Sequence, residues 1–221
     1  MSTLTNVMDD TPRPIVLARA LRLTAGRTTV FAGLDVDLPV SGYGAVVGPS
    51  GAGKSTLLLS LTGRMRGVTG TLLVSGLDAI RHPGPVRQVT SVARVADLIG
   101  PEPTLTVAEC ITERSLLDAG APRQRHAAFA SAAELMGLDV DPDALYGDLP
   151  PVDQTRAAVA LACVRPADLV VLDDLDHDAT LDEQAALWRG IAALAASGTS
   201  VIAATTERAA VPAGATIIDL S

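Results

Sequence analysis

From residue 15 onward the chain reads as short apolar runs that alternate with longer helical stretches. Ile15 to Leu23 alternates, with Val16, Ala18 and Ala20 against Leu17, Arg19 and Arg22, which predicts a strand. Ala25-Gly26-Arg27 predicts a turn, and Thr28 to Leu38 a second strand, with Leu34, Val36 and Leu38 on one face and Asp35 and Asp37 on the other. Gly44-Ala45-Val46-Val47 predicts a short buried strand, followed by a Gly-rich turn and a helix from Gly53. Gly63 to Gly70 reads as a loop, Thr71 to Val74 as a strand, Ser75 to Asp78 as a turn, and Val86 to Val95 as a further strand.

Residues 100–105 break the pattern. Thr106 to Ala119 and Pro122 to Met136 predict helices, and Asp141-Pro142 a short third one. Next come a helix over Asp153 to Val164, a buried strand over Asp168 to Asp174 and a helix over Leu181 to Ser197. Strands over Ser200 to Thr205 and Ala215 to Leu220 close the chain. Strands alternating with helices predict an α/β fold with a mostly parallel sheet covered on both faces, here with an antiparallel β segment before it. The expected organisation is a flexible lead-in over 1–14, a domain over 15–221 and a helical insertion over about 100–150.

Composition narrows the classes. Hydrophobic residues make up 48% of 221 and aromatics only 2%, so the core must be built from Ala, Val and Leu. A net charge of −8 argues against a nucleic-acid partner. No basic region followed by an apolar core opens the chain, so no signal peptide is expected, and no run is long enough to span a membrane. Cys110 and Cys163 have no metal or redox spacing and read as free thiols; His82, His126 and His177 are scattered.

The chemistry concentrates at Gly48-Pro49-Ser50-Gly51-Ala52-Gly53-Lys54-Ser55-Thr56, which fits the phosphate-binding pattern G-x-x-x-x-G-K-[ST] in its strand-loop-helix context. Lys54 is the only lysine; the other sixteen basic residues are arginines. A slim ammonium fits inside a phosphate-encircling loop where a guanidinium fork does not. Glycines let successive N–H groups form an anion nest, the helix dipole adds to it, and the Ser55 hydroxyl is a ligand for Mg²⁺. Asp173, after four apolar residues, falls at the carboxyl edge of the sheet and is the second expected Mg²⁺ ligand; Asp174 beside it is a candidate to orient an attacking water.

The order of these parts resembles the nucleotide-binding domain of ATP-binding cassette (ABC) transporters over about residues 15–221. Leu105-Thr106-Val107-Ala108-Glu109 looks like the family's L-T-V-x-E phrase, and Leu169 to Asp174 like its L-L-I-L-D-E strand. The resemblance implies ATP and Mg²⁺ as cofactors, a membrane-spanning transporter subunit as partner and a dimer with itself or another nucleotide-binding subunit. It also implies a cytoplasmic location, peripheral on the inner face of the membrane.

Several of the family's working residues are replaced. Arg94 stands where it has a Gln. Leu149-Pro150-Pro151-Val152-Asp153 stands at its L-S-G-G-Q signature, whose N–H groups and hydroxyl bind a γ-phosphate across the dimer; prolines have no N–H to give. Asp174 aligns with its catalytic Glu and Thr206 with its switch His. Its S-A-L-D loop falls near His177 to Thr180, and its adenine-stacking aromatic falls near Thr24 or Ala25. The expected function is an ATP-binding subunit of an ABC-type complex with weak hydrolysis. The alternative is a non-hydrolytic nucleotide-binding module that sets a conformation or an assembly state. A small-molecule kinase lacks a recognisable acceptor or lid motif.

Overall fold

The computed structural model describes residues 14–96, 98–116 and 122–220. The expectations placed on residues 1–13, on 117–119 and on Ser221 lie outside them. Two sheets share the molecule. Strands β1 (Val16–Ala25), β2 (Thr28–Leu38), β4 (Val68–Val74) and β5 (Leu77–Asp78) form an antiparallel sheet in the order β2-β1-β4-β5. Strands β3 (Tyr43–Val47), β6 (Thr90–Arg94), β7 (Leu169–Leu172), β8 (Ser200–Thr205) and β9 (Thr216–Asp219) form a parallel sheet in the order β6-β7-β8-β3-β9. The helices are α1 (Lys54–Leu61), α2 (Pro83–Val89), α3 (Val107–Leu116), α4 (Pro122–Met136), α5 (Pro151–Ala162) and α6 (Leu181–Ala196).

The central parallel strands are mostly apolar because both faces are covered, and alternate residues serve two different cores. Ala45, Val47, Val170, Leu172, Val201 and Ala203 face α3 to α6. Val46, Leu169, Val171, Ile202 and Ala204 face α1 and the antiparallel sheet, where Leu57, Leu58, Leu61, Val16 and Leu21 meet them. With few aromatics, small residues allow the layers to approach closely. At Gly190 on α6, an added Cβ would lie 2.9 Å from the Met136 Cα of α4.

The structure differs from the sequence reading in four places. Ala20 does not share the inward face of Val16 and Ala18. It has φ 46° and is exposed, because a bulge shifts the β1 register between Ala18 and Leu21 and turns Leu21 and Leu23 inward instead. Strand β4 starts at Val68, inside the expected loop, and Leu77-Asp78 pairs with it as β5 inside the expected turn. The expected strand over Val86 to Val95 is half helix: Pro83 opens α2 at its first turn, Val86 is buried, and Thr90 Oγ1 closes the helix on Val86 O at 2.8 Å.

No helix starts at Asp141-Pro142. The Asp141 carboxylate accepts from Asp143 N (3.0 Å) in an Asx turn. Pro142 O and Ala144 O accept from Ala108 N (2.9 Å) and Val107 N (3.0 Å). These carbonyls satisfy the first amides of α3, which a helix cannot satisfy itself. The same helix end explains the Leu105 to Glu109 phrase. Thr106 and Glu109 form a reciprocal capping box, with Glu109 N bonded to Thr106 Oγ1 (3.2 Å) and Thr106 N to Glu109 Oε2 (2.8 Å).

Candidate functional site

Strands β3, β6, β7 and β8 all end at one edge of the parallel sheet, and every candidate residue follows one of those ends. After β3, the loop Gly48 to Gly53 turns the chain into α1. Pro49, Ser50 and Gly51 are exposed at its tip, and Ala52 N closes it on Pro49 O at 3.2 Å. Gly53 is the pivot: its φ is 93°, and a Cβ there would meet Val30 Cγ1 at 2.7 Å. The first backbone bond of α1 runs from Leu57 N to Gly53 O (2.9 Å). The amides of Lys54, Ser55 and Thr56 therefore precede the helical ladder, at the positive end of its dipole.

Lys54 is 5% exposed. Its ammonium folds back into the loop and donates to Gly48 O (3.0 Å) and Pro49 O (3.1 Å). These neutral carbonyls are weak partners for a buried cation, and an anion seated in the loop would compete for it well.

Across the sheet, Asp173 follows β7 and is completely buried. Its Oδ1 accepts from Asp174 N at 3.1 Å, while its Oδ2 is buried without a hydrogen-bond partner among the described residues. Burial pushes its carboxyl above the ordinary carboxylate range, and the neighbouring Asp174 charge adds to the rise; the nearby Ser55 hydroxyl, the Asp174 amide and the Lys54 charge pull the other way. The structure thus brings together Lys54, Ser55 and Asp173, which the sequence separates by more than a hundred positions. Two hard oxygen donors, one of them orphaned and anionic, suit a divalent cation such as Mg²⁺.

Asp174 sits in the left-handed region (φ 45°) and lines a groove of about 760 Å³ with Arg94, Tyr146, Gln154 and His177. Arg94, at the end of β6, donates to Asp174 O (3.1 Å) and to Thr155 Oγ1 on α5 (3.2 Å). It therefore ties the Asp174 turn to the helix that follows the Leu149 to Asp153 loop. At the start of α5, Asp153 N and Gln154 N both bond to Pro150 O (2.8 and 2.9 Å), and the Asp153 carboxylate pairs with Arg156 at 2.8 Å. Pro150 and Pro151 contribute no N–H. Of the amides that open this helix, those of Asp153 and Gln154 are therefore spent on Pro150 O.

Thr206, after β8, gives its amide (2.9 Å) and its hydroxyl to one oxygen of Asp176. Thr180 is the N-cap of α6 in a capping box with Glu183, a structural position. Sequence reasoning missed Asp176 as the partner of Thr206, and Thr155 as the anchor of Arg94. No local pattern announces either contact; each spans 30 or more residues.

The family model for the ABC transporter matches residues 31–176. Among curated relatives, the ribose import ATP-binding protein RbsA of Geobacillus kaustophilus (strain HTA426) is 30% identical over 190 residues, covering 83% of this chain and 38% of that protein. A putative ribose/galactose/methyl galactoside import ATP-binding protein of Rhizobium meliloti (strain 1021) is 32% identical over 143 residues, covering 64% of this chain and 28% of the relative. The chain therefore spans two fifths or less of the length of these relatives. Among solved structures, cbiO1 from Clostridium perfringens, part of the complex cbiONQ, superposes with a TM-score of 0.73 at 17% identity, covering 88% of this chain and 79% of that one. The dimeric bacterial cassette MJ0796 superposes with a TM-score of 0.71 at 16% identity, covering 93% and 94%. At these identities the superpositions speak for the fold alone.

Proposed function

Because this chain belongs to the ABC transporter family, we propose that it binds Mg²⁺–ATP and serves as the nucleotide-binding subunit of a transport complex, with weak hydrolysis. One observation carries the reading: the buried Lys54 ammonium in its glycine loop, beside Ser55, shares the sheet edge with Asp173, whose Oδ2 is buried and unsatisfied. Residues 15–221 act as one nucleotide-binding domain, with the helical insertion at about 100–150.

In this reading the amides of Gly51, Gly53, Lys54, Ser55 and Thr56, with Gly48, Pro49, Ser50 and Ala52 shaping the loop, receive the phosphates. Lys54 exchanges two carbonyls for phosphate oxygens. Ser55 and Asp173 hold the cation, which supplies charge neutralisation on the phosphates when bound. Asp174 orients the attacking water, from a turn that Arg94 fixes through its main-chain carbonyl. Thr206 has no imidazole to offer, so turnover rests on positioning and electrostatics alone.

The complex pairs the chain with a membrane-spanning subunit and with a second nucleotide-binding subunit, itself or another, at the inner face of the membrane. No helix among the described residues is long and apolar enough to cross a membrane. The names of the relatives make ribose and galactoside import the first transport reactions to test. A second reading, a non-hydrolytic module, is favoured by the self-satisfied α5 start: Pro150, Pro151 and the Asp153–Arg156 pair leave nothing to grip a γ-phosphate across a dimer.

ATP binding by calorimetry and phosphate release on the same Mg²⁺-containing sample test both readings. Binding with slow release supports the first, and binding with no release supports the second. Binding that Lys54→Ala leaves unchanged overturns the loop assignment.

A further inference from the structure

The turn after α1, helices α2 and α3, and the end of α5 enclose a second cavity of about 410 Å³, lined by Arg64, Arg87, Arg114 and Arg165. None of the nine loop residues, nor Asp173 or Asp174, borders it. Among the described residues no carboxylate lines it either. The hydrogen bonds of Arg64 and Arg114 end on neutral oxygens. Arg64 donates to Thr62 O (2.9 Å) and Thr90 Oγ1 (3.2 Å), and Arg114 to Val92 O (3.1 Å) and Ala93 O (3.4 Å). Arg165 donates to Arg87 O (3.0 Å) and Thr90 O (2.7 Å).

Four guanidiniums around one cavity are costly to keep. Burial and repulsion from Arg165, Arg87 and Arg114 lower the Arg64 pKa to about 10. Arg114 is lowered by burial, with the adjacent Glu113 working against it. Each guanidinium carries five donors in a rigid fork that matches planar or tetrahedral oxyanions, and the carbonyls use only some of them. At roughly 30 Å³ per water, the cavity has room for about a dozen waters, ample for a small polyanion.

We propose that this arginine cavity is a binding site for a small polyvalent oxyanion, separate from the nucleotide site. The ligand chemistry is two or more anionic oxygens on phosphate or carboxylate groups. The site lies against β6, whose last residue is Arg94, so its occupancy bears on the strand that holds the Asp174 turn.

Inorganic pyrophosphate is the probe, titrated by calorimetry at low ionic strength. The phosphate loop would also accept it, so the titration uses the full chain carrying Lys54→Ala. The expected result is binding to Lys54→Ala that weakens about tenfold or more when Arg114→Gln or Arg87→Gln is added. Arg87 is exposed, so its variant keeps the test valid if Arg114→Gln does not fold. In the otherwise unaltered chain, Arg87→Gln should bind ATP as the parent does, which separates this site from the loop. Citrate in a parallel titration distinguishes the sources: equal binding assigns polyvalent oxyanions in general, and binding of pyrophosphate alone assigns phosphates. Absence of binding by both, or binding that neither arginine substitution weakens, overturns the proposal.

Discussion

Asp173→Asn is the sharpest perturbation of this site, because stability and binding should move in opposite directions. The carboxylate is completely buried and one of its oxygens has no partner. An unsatisfied buried acceptor costs about 1–3 kcal/mol, more when charged. Asparagine keeps the oxygen that accepts from Asp174 N, removes the buried charge and offers an N–H₂ toward the Ser55 hydroxyl. A gain of about 1–2 kcal/mol is therefore expected at neutral pH without nucleotide, or roughly 2–8 °C in Tm for a chain of this size. The sign of the pH dependence follows from burial raising the pKa. A carboxyl whose folded pKa lies above its unfolded value favours the fold when protonated, and that contribution is lost as pH rises through the folded pKa. The advantage of the asparagine variant should thus be largest at neutral pH and shrink as pH falls through the raised pKa of Asp173. The assay is thermal unfolding of both proteins without nucleotide from neutral to acid pH, followed by ATP titration with and without Mg²⁺. A destabilised variant, or an advantage that does not change with pH, refutes the picture of an uncompensated buried charge. ATP affinity that still responds to Mg²⁺ refutes the cation assignment.

The remaining expectations span loop, turnover and packing. Lys54→Ala should abolish ATP binding, read by calorimetry, since it removes the one charge the loop encloses. Asp174→Asn should lower the residual phosphate release on the order of 10²-fold if Asp174 handles the water, and leave ATP affinity unchanged. Gly190→Ala should destabilise despite its helix-propensity gain of up to ~1 kcal/mol, because the added Cβ meets α4 backbone at 2.9 Å and overpacking costs about 1–3 kcal/mol; a raised Tm would contradict this. Thr180→Ala should cost about 1 kcal/mol in chemical denaturation by removing the α6 capping box.

The parts legible in the sequence were those whose physics is local. The loop Gly48 to Thr56 declares itself because glycine, lysine and hydroxyl must stand at fixed spacing around a phosphate. Strand β8 was readable to the residue because a strand buried on both faces is apolar throughout, and α6 because its end carries a capping residue. Boundaries failed where one residue type serves two conformations. Val86 and Val89 are three apart, a helical spacing, yet they run into the apolar Val92 and Val95 of the next strand, so the segment read as one strand. The Asp141-Pro142 pair has the chemistry of a helix start, but Asp141 closes a local turn and the Pro142 carbonyl is taken by another helix.

The same division between local and distant physics separates the two halves of the site. The proposed phosphate and cation groups follow β3 and β7 and open α1, and those two strands are buried apart from half-buried Tyr43. Of the positions that the resemblance sets against the family's working residues, Arg94 ends β6, Pro150 to Asp153 open α5 and Thr206 follows β8. Within the chain Arg94 donates to Thr155 and to Asp174 O, Arg156 donates to Asp153, and Thr206 donates to Asp176. On the proposed reading of weak hydrolysis, exchanging a single side chain should not restore turnover. Thr206→His alone would strip Asp176 of its hydroxyl donor, while the α5 start would still lack the N–H groups that Pro150 and Pro151 cannot supply.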